Sequence, residues 1–530
     1  MSTPNRDAAA FFARADPHLY RRNPFRVADL SVHATARDVR RRTEELRVKA
    51  RLGADTGADT GGGTGLLPLR RRPAPDSVQD ALQRLRDPVR RIEDELFWFW
   101  PAHNEAVEGA RDEALDALRE RRIHDAERLW AEPGPGRAAA VAAHNLAVLK
   151  HAQALDGYLD ADTAADGPGG RDLWKPALRH WRTVLDTDAF WDLVAARARA
   201  ANDPRLGPGT ADELRERLPA VLLRIAADAA VRTSLGGDTL GGFALTGVIR
   251  TSGYDEAAVE AAFRAATAPE MERLRTLARS ALDRATESPE TACDEAVRIL
   301  DHSTAPLDAL DEILTPAHPL MEGVRDEIAE RVQQCTIVYG NETKDWSKSE
   351  EILGRAGEIA ATVTVKTRIK KNLDTAGDNL LYGTCWFCGD TPADDDATYE
   401  KKMYGNVREE FGGYGGYQRQ IRWQKLAVPV PRCSGCAAAH RDRGRKVAGV
   451  GCGFGAAALA LAVALIVAGA PPLLPVGLIF LVIIGFFVVM GTGNIDGLPK
   501  NAHATLGAWP PIQERLGAGW LFGEKPPNLD

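Results

Sequence analysis

VAGVGCGFGAAALALAVALIVAGA (447–470) and LLPVGLIFLVIIGFFVVM (473–490) are adjacent runs of 24 and 18 residues without a charge. A bilayer core needs about 20 apolar residues as helix, so the pair reads as a two-helix transmembrane hairpin. Pro471 and Pro472 fall between the runs. Proline removes a backbone donor and clashes with the preceding turn, so the chain is expected to reverse there. Arg441, Arg443, Arg445 and Lys446 precede the first run, the nearest cation after the second is Lys500, and the turn has none. Positive flanks stay cytoplasmic. The expectation is a multi-pass protein of the cell membrane with two spans, both termini cytoplasmic and the lipid bilayer as a partner. Neither run holds an ionisable side chain, which argues for an anchor rather than a polar path. Met1–Arg26 carries Arg6, Asp7, Arg14, Asp16, Arg21 and Arg22 and no apolar core, so no N-terminal signal peptide is expected.

A cysteine-bearing module ends at about His440, six residues before the first run begins. Of seven cysteines, Cys293, Cys335 and Cys452 are isolated, while CWFC (385–388) and CSGC (433–436) form two C-x2-C pairs 44 residues apart. A cytosolic setting disfavours a disulfide framework, and four thiolates suit a tetrahedral Zn2+. Cys385, Cys388, Cys433 and Cys436 are therefore the candidate metal ligands, with zinc as a structural cofactor; spacing does not separate zinc from iron. His440 follows four residues later, as a packing residue or a replacement ligand. A thiol redox pair at Cys385 and Cys388 is the alternative, but such a motif normally opens a helix in a βαβ setting, and none is visible. ATYEKKMYGNV and YQRQIRWQKLAVPVPRC flank EEFGGYGGY and alternate like short strands, with Gly389 and Gly435 suited to tight turns. The module, 381–440, resembles a zinc ribbon with a long insert.

From 102 to 380 the pattern is helical, with breaks at Pro133–Gly136, Gly167–Gly170, Pro204–Gly209 and Gly236–Gly242. HDAERLWA (124–131) and AAHNLAVLKHAQAL (142–155) are similar to tetratricopeptide-type (TPR) repeats, though no clean 34-residue period can be written. The expectation is an irregular α-helical body. His144 and His151 share a helix face, and His180 lies nearby; with no metal-binding carboxylate pattern they read as polar or core positions. No glycine-rich phosphate loop is present.

At the N-terminus, residues 1–22 read as a flexible leader. Thr35 suits a helix cap ahead of Asp38 and Val39, and Asp87-Pro88 marks a break and restart within 76–100. GADTGADTGGGTGL (53–66) cannot bury enough apolar surface to order itself. Phe97, Trp98, Phe99 and Trp100 read as core or docking aromatics. LSVHATARDVRRRTEEL (30–46) resembles the opening of a J-domain, the DnaJ co-chaperone module, through Leu30, Val32, Ala34, Thr35, Asp38 and Val39. ALQRLRDPVRR (81–91) is similar to that family's third helix through Ala81, Leu85, Asp87, Pro88 and Arg91. The His-Pro-Asp tripeptide that engages a DnaK-type ATPase is missing, so the resemblance implies a degenerate, docking-type module over 23–101.

Abundant alanine and arginine with scarce lysine fit a GC-rich bacterial source. A net charge of -7 and a pI near 6.0 argue against nucleic-acid binding through a basic surface. The expected fold is mainly α: leader (1–22), J-like module (23–101), helical body (102–380), zinc-ribbon-like β module (381–440), transmembrane hairpin (447–490) and cytoplasmic tail (491–530). The expected function is a membrane-anchored, non-catalytic scaffold or chaperone-like protein. It would bind protein partners at the cytoplasmic membrane face, with no nucleic acid and no identified small-molecule substrate. A thiol redox or metal-dependent enzyme using Cys385 and Cys388 is the alternative.

Overall fold

The structure is a computed structural model. It describes residues 11–12, 15–51, 65–71, 73–102, 111–160, 171–389, 391–412, 418–468, 471, 480 and 506–527. Two compact units are present: 1–281 with 298–329 and 359–362, and 282–297 with 330–358 and 363–530.

The first unit is helical, and its entry is built on local caps. Asn23 accepts a hydrogen bond from the Phe25 amide to open α1 (Pro24–Ala28). Its side-chain amide also donates to the carbonyls of Asp94 and Phe97. Before α2 (Ala36–Arg51), Thr35 and Asp38 satisfy each other's backbone amides at 3.3 and 2.9 Å, a reciprocal box that offsets orphan donors. Between α3 (Pro75–Arg84) and α4 (Pro88–Leu96), Asp87 caps the Val89 amide at 3.0 Å with Pro88 at the first helical position.

Helix α4 stops at Leu96, so the four aromatics that follow do not project around a helix as their run suggests. All four are buried. Phe97 meets Trp181 edge-on at 5.7 Å, Phe99 stacks on Trp130 at 5.7 Å, and Trp100 packs on Phe190 at 5.5 Å. These partners lie on α6 (Ile123–Ala131), α8 (Arg171–Leu185) and α9 (Asp188–Ala200), around α7 (Arg137–Asp160). Helix α7 presents Ala147, Ala152 and Ala154 fully buried, and small side chains let paired helix axes approach. Between α10 (Thr210–Leu235) and α11 (Thr239–Arg250), a Cβ on Gly242 would sit 2.0 Å from Ser234 Oγ and 2.9 Å from the Ala230 carbonyl. Only glycine permits that crossing.

The second unit contains α15 (Trp346–Ile359, through Glu358), α16 (Val363–Gly383) and a three-stranded antiparallel sheet of order β2-β1-β3. Strands β1 (Tyr399–Gly412) and β2 (Gln418–Val430) form one long hairpin where several short strands are expected from sequence. Strand β3 (Leu521–Phe522) pairs with Met403 and Tyr404. Helix α17 (Ser434–Val467) follows β2, and α18 (Pro510–Gly517) precedes β3.

The two-span anchor expected over 447–490 is not supported. Among the described residues no helix is long and apolar enough to cross a membrane. That finding overturns the transmembrane hairpin, the membrane and transmembrane assignments, and the two-pass placement with cytoplasmic termini. The first run is the far part of α17, which starts among the cysteines and carries Arg441, Asp442, Arg443, Arg445 and Lys446 before the apolar part begins. The expected six-residue link is therefore helix. The run is also rich in alanine and glycine, which lack the apolar surface of leucine or isoleucine. The second expected span lies outside the described residues apart from Phe480.

Candidate metal centre

The first knuckle follows α16. The Cys385 amide donates to the Thr391 carbonyl at 2.8 Å, and the Gly389 amide donates to the Cys385 carbonyl at 2.9 Å. Gly389 has φ +78°, a left-handed turn where a side chain is strained. The second knuckle is the start of a helix. Cys433 is the N-cap of α17, and its sulfur accepts from the Cys436 amide at 3.3 Å. Gly435 thus lies in a first helical turn rather than in the tight turn expected for it. Two backbone bonds stitch the knuckles together: Trp386 N–H to the Pro431 carbonyl at 3.0 Å, and Asp394 N–H to the Arg432 carbonyl at 3.1 Å.

Across the long hairpin, Cys385, Cys388, Cys433 and Cys436 come together with all four sulfurs within 4.8 Å of one another. Cys388 Sγ and Cys433 Sγ are 4.0 Å apart. With Zn–S bonds of about 2.3 Å, the edge of a tetrahedral tetrathiolate is about 3.8 Å, whereas a disulfide is about 2.05 Å. The spacing fits sulfurs around one ion, and none of the four is in a disulfide. Cys385 and Cys433 are buried, Cys436 is half-buried and Cys388 is exposed. Burial, reinforced by hydrogen bonds from the neighbouring cysteines, pushes the Cys436 thiol up to about 12. A divalent cation inverts that balance by holding the sulfurs as thiolates. The donor set is soft and all-sulfur, and so fits zinc or iron. The four residues can hold one such ion.

His440 does not join the sulfurs. Its ring meets Phe387 edge-on at 4.9 Å, and Nδ1 lies 3.4 Å from Arg432 Nη1. Burial, with Arg432 beside it, holds its pKa below the usual value. Arg432 Nε donates to the Ala397 carbonyl at 2.7 Å, and its guanidinium lies 5.4 Å from the centre of the Tyr399 ring.

Several supporting residues come from a segment that reads as tail. Leu506, Trp509, Ile512 and Trp520 are buried together with Met403, Val428 and Val430, and Trp386 and Phe387 pack against that cluster. Trp509, Trp520 and Phe522 are the aromatic residues of 491–530, and in sequence they signal apolar anchoring without naming its place.

The other candidates from sequence serve the core. His144 Nε2 donates to the Leu96 carbonyl at 2.7 Å, and the ring stacks on Phe190 at 4.4 Å. His151 Nδ1 accepts from Trp181 Nε1 at 3.2 Å, with Tyr20 Oη at 3.1 Å. Burial lowers the two pKa values to about 4 and about 3, so both imidazoles are neutral. His180 is lowered by burial as well. Cys293 and Cys335 are buried, and desolvation raises their thiols to about 11 and about 12. Comparison of the chain with protein-family models, with curated proteins and with solved structures returns no match.

Proposed function

We propose that the chain is a non-catalytic interaction protein, a scaffold or chaperone-like protein, whose cysteine module is stapled by a structural zinc ion. The observation that carries this reading is the convergence of four sulfurs within 4.8 Å, joined by no histidine or carboxylate among the described residues. A catalytic zinc keeps an open position and works beside an acid or base; here each tetrahedral position has a protein sulfur. A small sheet of three strands gains the folding free energy it otherwise lacks from metal binding. Zinc is favoured over iron because it is bound by all-cysteine sets without redox chemistry. The TPR-like helical body offers protein-binding surfaces. The J-like segment 23–101 adds a docking module that lacks His-Pro-Asp, so the full chain is expected not to stimulate a DnaK-type ATPase.

Metal analysis and thiol titration of the purified chain test this. One zinc per chain, with four thiols that react only after chelation, supports the structural role. Thiol–disulfide cycling without bound metal overturns it. That outcome belongs to a second reading, a thiol redox enzyme, which draws on the exposure of Cys388, its 4.0 Å approach to Cys433, and a groove of about 440 Å3 beside Cys385 walled by Trp386 and Trp509. The interaction role is tested by crosslinking pull-down with the full chain and with a chain lacking 1–101. Partners lost with that segment support docking there.

A further inference from the structure

The four candidate ligands differ in their access to solvent. Cys385 and Cys433 are buried, Cys436 is half-buried, and Cys388 alone among the described cysteines is exposed. A bound divalent ion holds each sulfur as a thiolate, the form of cysteine that reacts. Cys388 therefore combines the two properties that set susceptibility to oxidation, thiolate character and exposure. A reversible oxidation also needs a second sulfur close by. Cys433 Sγ lies 4.0 Å from Cys388 Sγ, against about 2.05 Å in a disulfide.

We propose that Cys388 is an oxidative modification site, at which hydrogen peroxide joins Cys388 to Cys433 and so releases the ion. This rests on the reading of the four cysteines as a closed metal site. It differs from a catalytic thiol pair, because the ion is present at the start and no substrate disulfide is turned over. The Cys388 thiolate attacks one peroxide oxygen; the O–O bond breaks, the sulfur gives up two electrons to become a sulfenic acid, and hydroxide leaves. The Cys433 thiolate then attacks that sulfur; the S–S bond forms, the S–O bond breaks and a second hydroxide leaves. Two solvent protons convert the hydroxides to water. Cys385 and Cys436 remain, a two-sulfur set that leaves half of the tetrahedral positions unfilled; they take up protons as the ion departs. The backbone keeps the second sulfur within reach throughout. Trp386 and Asp394 bracket Cys388 in sequence, and their amides donate to the carbonyls of Pro431 and Arg432, the two residues before Cys433. The knuckles therefore stay joined without the ion. Gly389, at φ +78°, turns the chain directly after Cys388, and Cys433 is the N-cap of α17 rather than an interior residue, so neither sulfur is carried within a regular element.

The test treats the full chain, reduced and loaded with zinc, with hydrogen peroxide. Zinc release is followed with a chromophoric indicator, the remaining thiols are counted, and crosslinked peptides are located by mass spectrometry without reduction. The expected result is the loss of two thiols for each zinc released and a crosslink between Cys388 and Cys433. A dithiol reductant should reopen the crosslink by exchange and, with zinc added, restore the loaded protein. Early in the time course a sulfenate-trapping reagent should label Cys388 ahead of every other cysteine. A crosslink between Cys385 and Cys388, first labelling at a buried cysteine, or retention of zinc while Cys388 is oxidised overturns the proposal. Zinc-loaded Cys388→Ser should keep its metal at a peroxide dose that empties wild type, and equal release overturns the proposal. If Cys388→Ser takes up no zinc, the crosslink found in wild type decides. Wild-type protein that holds no zinc before peroxide is added defeats the metal-site reading itself, and the proposal with it.

Discussion

Arg197 Nε lies 2.9 Å from the carboxylate of Glu95, across 102 residues of chain, and that carboxylate is 1 % exposed. Arg91 Nε reaches the same carboxylate at 2.7 Å, and both arginines also donate to the Val32 carbonyl. One buried anion therefore joins the chain entry before α2 to α4 and α9. Removing one member of a buried ion pair costs about 3–5 kcal/mol, because the partner charges stay buried unpaired. Glu95→Ala should destabilise the first unit by about that amount, read as a lower denaturant midpoint by tryptophan fluorescence. A loss below about 1 kcal/mol would mean that water reaches both guanidinium groups.

Metal removal should separate the cysteine module from the helices. Chelation is expected to abolish hydrogen-exchange protection in β1, β2 and the start of α17 while α7 to α10 keep theirs, since the sheet loses its staple. Cys385→Ser and Cys433→Ser should each reproduce that pattern without chelator. Cys293→Ser and Cys335→Ser should retain full metal content, because those two thiols are buried apart from the cluster and pushed well above the usual range.

The cysteine pairs and the caps at Thr35 and Asp87 are legible in the sequence because each depends on residues within a turn of one another. The membrane hairpin is misread for a related reason. A count of uncharged residues isolates 447–470 from what precedes it, whereas the helix begins at Ser434 and carries its charges with it; the count also weighs alanine and glycine as if they were leucine. The Glu95–Arg197 pair and the packing of Trp509 and Trp520 beneath the knuckles depend on segments about 100 residues apart, and no local periodicity encodes such a partner. The single long hairpin is hidden differently: the glycines in EEFGGYGGY mark a link, but nothing local states how far the two strands stay paired.

His151 gives the first unit a pH dependence with a definite sign. Its pKa is about 3 when folded and about 6.5 when unfolded. The unfolded chain therefore binds the extra proton between those values. The contribution of the neutral ring is fully present above pH 6.5 and declines as pH falls towards 3, by about 1.4 kcal/mol per unit. The His151→Phe variant removes this dependence and leaves the neighbouring carboxylates in place. At pH 7.5 it should be the less stable protein, having lost the bonds from Trp181 and Tyr20. By pH 4.5 the gap should close or reverse. Parallel stability curves for the two proteins across that range would show that His151 does not titrate on unfolding.

Trp520 lies directly over Gly405, so that a Cβ there would meet the indole ring at 2.5 Å, where the register between β1 and β2 shifts. Neither residue can move alone: Gly405 lies in the paired part of β1, and Trp520 is held between α18 and β3, next to the pairing of Leu521 with Tyr404. Gly405→Val should therefore expel the indole and open the cluster that backs the first knuckle. Trp509→Ala attacks the same cluster from its centre, since Trp509 is fully buried and meets Trp386 at 4.8 Å. Truncating a buried aromatic side chain costs about 3–5 kcal/mol. Because Trp386 sits between two of the ligands in sequence, that loss should reach the metal. Both variants are expected to weaken zinc binding in chelator competition, although neither residue supplies a ligand. Unchanged affinity in both would mean that the two backbone bonds between the knuckles position the sulfurs without the hydrophobic support beneath them.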